Sequence, residues 1–252
     1  MCYNKKHDTE NGGKAVCEKD GKEESMKEIH SFPDFLDNLY EAGMSMGGEN
    51  EEGVFGLSRY FGDEIVWHTE DAQTDPWEWR MRVLHERNDI AYGKFFFKKS
   101  GYITKEWFPY FYRIRRGGRG LQEEYEEGNV SLYAKRVYDQ LSEHRELPLH
   151  LIKEYGGFGR EDKSRFDSAV TQLQMDLYIT MCGNARKKSR RGEEYGWSST
   201  VFCLAEDFFE ADVIKRAGEI SGEEAYEKLE GQILLLNPGA DLKKVRKFIK
   251  GR

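Results

Sequence analysis

Between residues 31 and 46 apolar side chains recur at Phe32, Phe35, Leu36, Leu39 and Tyr40. That spacing puts them on one face of a helix, with Ser31 placed to cap its first amides and Pro33 tolerated in its first turn. Gly43, Gly47 and Gly48 close the segment, and an acidic loop through Glu52 leads to a more apolar stretch over residues 54–67. A second helix is expected over residues 76–85, because Thr74 or Asp75 can accept its free amides and Pro76 suits a first helical position. Residues 91–97 and 101–104 read as two short aromatic strands separated by Lys98-Lys99-Ser100, which fits a tight hairpin or two abutting strands. A helix or turn follows around Trp107-Phe108-Pro109-Tyr110-Phe111, and Gly117-Gly118-Arg119-Gly120 marks a boundary.

The pattern beyond that boundary is plainer. Leu132, Val137, Tyr138 and Leu141 make a helical face within residues 130–142, and residues 147–155 make a second, short helix stopped by Gly156-Gly157. A third helix is expected over residues 164–177, with Phe166, Ala169, Val170, Leu173 and Leu177 on its apolar stripe. Tyr178-Ile179-Thr180-Met181-Cys182 is strand-like, a basic run follows, and residues 195–203 supply a second strand. Three helices, a strand, a basic loop and a strand are the order of a winged helix. The last fifty residues look helical, most clearly over 221–229 and 242–249. The expected fold class is α+β, predominantly helical, with a winged-helix module carrying a basic β-hairpin wing. Its expected divisions are a disordered acidic tail (1–28), an aromatic-rich subdomain (29–120), the winged helix (121–204) and C-terminal helices (205–252).

Composition agrees with a folded chain. The 252 residues include 15 Phe, 14 Tyr and 5 Trp, side chains that need a core to bury them, although charged residues reach 34%. No run approaches the roughly 20 apolar residues that cross a bilayer, and the first residues lack an apolar signal core, so a cytoplasmic protein without membrane contact is expected. Cys2, Cys17, Cys182 and Cys203 match neither a zinc ribbon nor a redox pair, which predicts reduced thiols and no metal. Pairing Gly183 with Tyr195 would set Cys203 opposite Met175 and keep it apart from Cys182. The glycine runs lack the ending of a phosphate loop, and no cofactor is expected.

Charge is where candidate chemistry emerges. Residues 1–52 hold 6 Lys and Arg against 13 Asp and Glu, which accounts for the whole net charge of −7; the other 200 residues hold 33 of each sign. Within that neutral remainder two cationic clusters stand out. One is Arg113, Arg115, Arg116 and Arg119; the other is Arg186, Lys187, Lys188, Arg190 and Arg191. Clustered cations repel one another unless a polyanion relieves them, and a wing tip is where duplex DNA would do so. On the third helix, Ser164, Ser168, Thr171, Gln172 and Met175 face outward with Arg165 at the margin. Those short donors suit phosphate contacts, and Gln172 alone could read a base with two hydrogen bonds.

The run Ile90-Ala91-Tyr92-Gly93-Lys94-Phe95-Phe96-Phe97, followed by residues 103–116, resembles the central block of the AlkZ/YcaQ winged-helix proteins, which include bacterial DNA glycosylases. Trp67-His68-Thr69, Asp75-Pro76-Trp77-Glu78-Trp79 and Tyr195-Gly196-Trp197 are most similar to small AlkZ-related members. The resemblance implies double-stranded DNA as partner and recognition or excision of damaged bases. It also implies a catalytic Gln-x-Gln or Gln-x-Asp, for which Gln73-Thr74-Asp75 is the only early match, while Phe95 stands at the family's His position. A carboxylate such as Asp75 would position a water and stabilise an oxocarbenium ion, with Trp77 or Trp79 stacking on nearby bases. Asp75 reads equally as a helix cap and the Trp residues as core. A winged-helix transcriptional regulator and a winged helix used only for protein contacts are the alternatives.

Overall fold

The computed structural model describes residues 26–49, 51–188 and 191–251. Helix α1 (Phe32–Ala42) starts where Ser31 accepts the amide of Asp34 and stops at Gly43, whose left-handed φ of 81° turns the chain out of the helix. A Cβ at Gly43 would lie 2.1 Å from the Trp107 indole, so no other residue fits. The sequence pattern carried this helix to Met46; the reversal at Gly43 instead makes Met44–Met46 strand β1. Helix α2 (Pro76–Glu86) is capped by Asp75. Strands β2 (Ile90–Phe96) and β3 (Lys99–Thr104) form an antiparallel hairpin whose turn is Phe97-Lys98, so β3 begins two residues before the Gly101 that the sequence pattern suggests. Both turn residues have positive φ, 52° and 63°, a backbone that matches the strand twist.

Helix α3 (Phe108–Arg116) ends at Gly117, and a short α4 (Leu121–Glu126) follows. Then come α5 (Leu132–His144), β4 (Glu146–Pro148), α6 (Leu149–Tyr155), α7 (Lys163–Met175), β5 (Ile179–Lys188) and β6 (Glu194–Leu204). The chain closes with α8 (Ala205–Phe208), α9 (Ala211–Glu219), α10 (Gly222–Leu236) and α11 (Leu242–Lys250). The protein is α+β; among the described residues about half are helical, and one six-stranded antiparallel sheet runs in the order β1-β3-β2-β5-β6-β4. Strand β4 lay hidden in the sequence because its three residues, broken by Pro148, are too few to alternate.

The two hairpins meet through Tyr92 of β2 and Met181 of β5, and that pairing makes one sheet of segments from both halves of the chain. Phe96 stacks on Phe248 of α11 with centroids 3.8 Å apart, so the last helix shares the core of the β2–β3 hairpin. A second apolar cluster lies under α5, α6 and α7, and a third around Trp79. The register of β5 and β6 corrects the sequence reading. Gly183 pairs with Val201, Thr180 pairs with Cys203, and a bulge between Met181 and Gly183 takes up Cys182. Cys182 and Cys203 are therefore neighbours, both free thiols, and the hydrogen bond with Cys182 and burial push the Cys203 thiol up. Among the described residues no helix is long and apolar enough to cross a membrane, and no group of three or more His, Cys, Asp or Glu is placed to hold a metal ion.

Candidate nucleic-acid interface

Helix α7 buries Phe166, Ala169, Val170 and Leu173 and turns the opposite side toward a groove of about 1360 Å³. Ser164, Ser168, Thr171 and Gln172 line that groove, together with the largely buried Met175. Arg165 does not: its Nη1 donates to the Tyr133 hydroxyl at 3.0 Å, which ties it to α5. The far wall is the β2–β3 hairpin, through Lys94, Phe97 and Lys98, and the end of α11, through Lys247. Arg160 and Lys163 add two cations beside α7, while Glu52, Glu161, Asp167 and Asp176 keep the groove mixed in charge.

Buried Gln174 fixes the two walls against each other. Its Oε1 accepts the Lys94 amide at 2.9 Å and its Nε2 donates to the Val170 carbonyl at 3.0 Å. A Cβ on Gly93 would come within 3.3 Å of that Oε1, so glycine lets the strand approach. Sequence reasoning missed Lys94, Lys98, Arg160, Lys163, Lys247 and Gln174. The first five are scattered along the chain, and only the fold gathers them.

The β5–β6 hairpin redistributes the second cationic cluster. Arg186 and Lys187 lie on β5 itself and are exposed, Lys188 pairs in register with Glu194, and Arg191 sits in the turn. Arg190 lies outside the described residues. The four described cations are thus spread along a strand and its turn, not gathered in a loop as expected, because β5 continues through Lys188. The same hairpin exposes Tyr195 and leaves Trp197 95% accessible. Under it, the buried Nδ1 of His150 on α6 has no hydrogen-bond partner. Burial first, and the charge of Lys187 second, push that imidazole below the ordinary histidine value.

The first cluster is acid-free in sequence but not in space. Arg115 donates to the carbonyls of Phe95, Met175, Phe248 and Ile249 at 2.7–3.0 Å, which locks α3, α7 and α11 together. Arg116 is buried, stacks over Tyr178 at 3.7 Å and pairs with Glu206 at 3.0 Å. Arg119 is surrounded by Glu123, Glu124 and Glu127. Three of the four arginines are engaged within the fold, and Arg113 is half-buried.

At the early motif, both oxygens of the buried Asp75 are occupied. Oδ1 accepts the amides of His68 and Trp77 at 3.0 and 2.8 Å, and Oδ2 those of Thr69 and Glu70 at 2.8 and 3.0 Å. Burial pushes this carboxyl up, but the four amides outweigh it and hold the group below the ordinary aspartate range. A carboxylate so saturated has no lone pair directed at a water. Gln73 is exposed, and its backbone carbonyl accepts from Trp79 Nε1 at 3.2 Å. Trp79 is core, packed on Phe35 and Phe61 with centroids 5.1 and 5.6 Å away, so it is not available to a base. Trp77 is 42% exposed, with the Arg80 guanidinium 3.4 Å from its ring centroid. Phe95 is fully buried.

A model of the family described as AlkZ related matches residues 29–250. No curated protein and no solved structure matches the chain. The match takes in both hairpins, α7 and the C-terminal helices, and the character it carries at family level is DNA glycosylase-like. The chain belongs to the AlkZ-related family.

Proposed function

We propose that the protein binds double-stranded DNA as a winged-helix protein, with α7 as docking helix and the β5–β6 hairpin as wing. The succession α5, β4, α6, α7, β5, β6, with β4 paired to β6, supports this reading. One observation carries it: the polar side of α7 opens on a groove into which the β2–β3 hairpin and α11 bring Lys94, Lys98 and Lys247, cations remote in sequence. Short hydroxyls and scattered ammonium groups suit phosphates, and Gln172 is placed for one base contact. With so little base-reading chemistry on α7, binding tracks duplex shape and damage more than sequence, which favours a damage-recognising protein over a regulator. In this reading Asp75 is a cap and not the catalytic carboxylate, and Arg186 and Lys187 of the wing hold the backbone.

The test is a salt titration of binding to a short random duplex, followed by anisotropy. Three to five neutralised phosphates give a log–log slope of about −3 to −4.5. Salt-insensitive binding, or none at low salt, would overturn the proposal. Strong preference for one palindrome would transfer it to the regulator class.

A further inference from the structure

Cys182 and Cys203 meet at the base of the β5–β6 hairpin, and the proposed DNA contacts use neither. The register explains the encounter. Thr180 pairs with Cys203, Met181 with Phe202 and Gly183 with Val201, so Cys182 is the extra residue of the bulge and comes onto the diagonal beside Cys203. Their thiols lie within hydrogen-bonding reach of each other. Cys203 is fixed from both sides. Strand β4 pairs Glu146 with it, and Thr180 across from it donates to the Tyr92 carbonyl of β2 at 3.1 Å. Among the described residues no strand pairing includes Cys182, so its backbone is the part that can give.

Access assigns the two sulfurs different parts. Cys203 is 2% exposed, whereas Cys182 is partly exposed and is followed by Gly183, where an added Cβ would meet nothing within 4 Å. A small reagent therefore reaches Cys182 first. The hydrogen bond with Cys182 and burial keep Cys203 in its thiol form, so it is not the first sulfur to react. Two sulfurs already in contact across adjacent strands need only a small backbone adjustment to reach disulfide geometry, and a bulge supplies it.

We propose that Cys182 and Cys203 form a peroxide-sensitive thiol pair that closes reversibly into a disulfide across the base of the hairpin. The Cys182 sulfur, as thiolate, attacks hydrogen peroxide; an S–O bond forms, the O–O bond breaks, and the distal oxygen leaves as water. The Cys203 sulfur then attacks the sulfenic acid on Cys182 and gives up its proton as the S–S bond forms. The S–O bond breaks and a second water leaves. Two thiols thereby lose two electrons and two protons, and one peroxide is reduced to two waters. The new bond ties β5 to β6 where the bulge bends the hairpin, and a dithiol reductant reopens it.

The experiment treats the full chain with hydrogen peroxide, blocks the remaining thiols with N-ethylmaleimide, and maps the peptides by mass spectrometry without reduction. A linked pair of peptides containing Cys182 and Cys203 is expected, lighter than the two reduced peptides by two hydrogens and lost on adding dithiothreitol. In Cys203→Ala the reaction stops at the first step, so labelling of Cys182 by dimedone, which captures sulfenic acids, should rise several-fold over the native chain. In Cys182→Ala the Cys203 thiol should survive the same treatment. The native chain decides the matter even if either variant folds poorly. Linkage of Cys182 to Cys2, Cys17 or a second copy, oxidation of Cys203 ahead of Cys182, or two thiols that survive excess peroxide would each overturn the proposal.

Discussion

The carboxylate of Glu206 lies 3.0 Å from Nη2 of Arg116, across 90 residues of chain, and accepts a second hydrogen bond from Tyr112 at 2.6 Å. The pair joins α3 to α8, and the Arg116 side chain is only 3% exposed. Truncating it leaves the carbonyls of Leu177 and Arg119 without that donor and Glu206 with Tyr112 alone. Arg116→Ala is expected to lower the unfolding free energy by about 1–3 kcal/mol, read from urea titration. Glu206→Gln, at a partly solvated position, costs about 1 kcal/mol. A fully stable Arg116→Ala that binds DNA poorly would return this arginine to the interface.

Asp75 makes stability depend on pH in a defined direction. Its folded pKa is depressed, so its contribution is complete above the unfolded value of about 3.9 and is lost as pH falls through the lower folded value. Asp75→Asn replaces one acceptor oxygen with a carboxamide NH2, a donor facing backbone N–H donors, and it is expected to cost about 1–3 kcal/mol at pH 7. The gap between the native chain and the variant should close in acid, as thermal unfolding between pH 6 and pH 2 would show. DNA affinity of the folded variant is expected to be unchanged. Excision of an alkylated base by the native chain, abolished in a stably folded Asp75→Asn, would assign the catalytic role instead.

The wing offers a prediction on salt dependence. Each lost phosphate contact lowers the magnitude of the log–log slope by about 0.9, so the double variant Arg186→Ala, Lys187→Ala should lower it by about 2. Both side chains are exposed, and stability should not follow.

Trp197 is 95% accessible, so almost none of its side chain is held by the described residues. Trp197→Ala should therefore change the unfolding free energy by less than about 0.5 kcal/mol. Its affinity for DNA should nevertheless fall, because an exposed indole beside cations on a projecting hairpin is placed to stack on bases. Equal affinities of the two chains for an oligonucleotide would exclude that contact.

The neighbouring thiols differ in accessibility, Cys182 being partly exposed and Cys203 buried with its thiol pushed up. Brief alkylation of the native protein at neutral pH should label Cys182 well before Cys203, since the thiolate is the reactive form. Peptide mass spectrometry reads the order directly; equal labelling would mean that the base of the hairpin opens.

Local physics was legible from the residues alone. Ser31 at the start of α1, Asp75-Pro76 at α2 and Gly117 after α3 act within four positions of themselves, and each caps or ends its helix in the structure. The apolar stripe of α7 and its outward hydroxyls followed from periodicity in the same way, as did the strands β2 and β3 to within two residues. What the pattern of neighbours cannot encode is the partner brought in from elsewhere. Arg115 and Arg116 looked like a surface patch because their acceptors, carbonyls near Phe248 and the carboxylate of Glu206, come from about 90 to 130 residues away. The groove cations belong to three separate segments for the same reason. Position along the chain decides caps and periodicity, because those bonds close within a turn; charge pairing and burial depend on which elements pack together, and only the tertiary structure decides that.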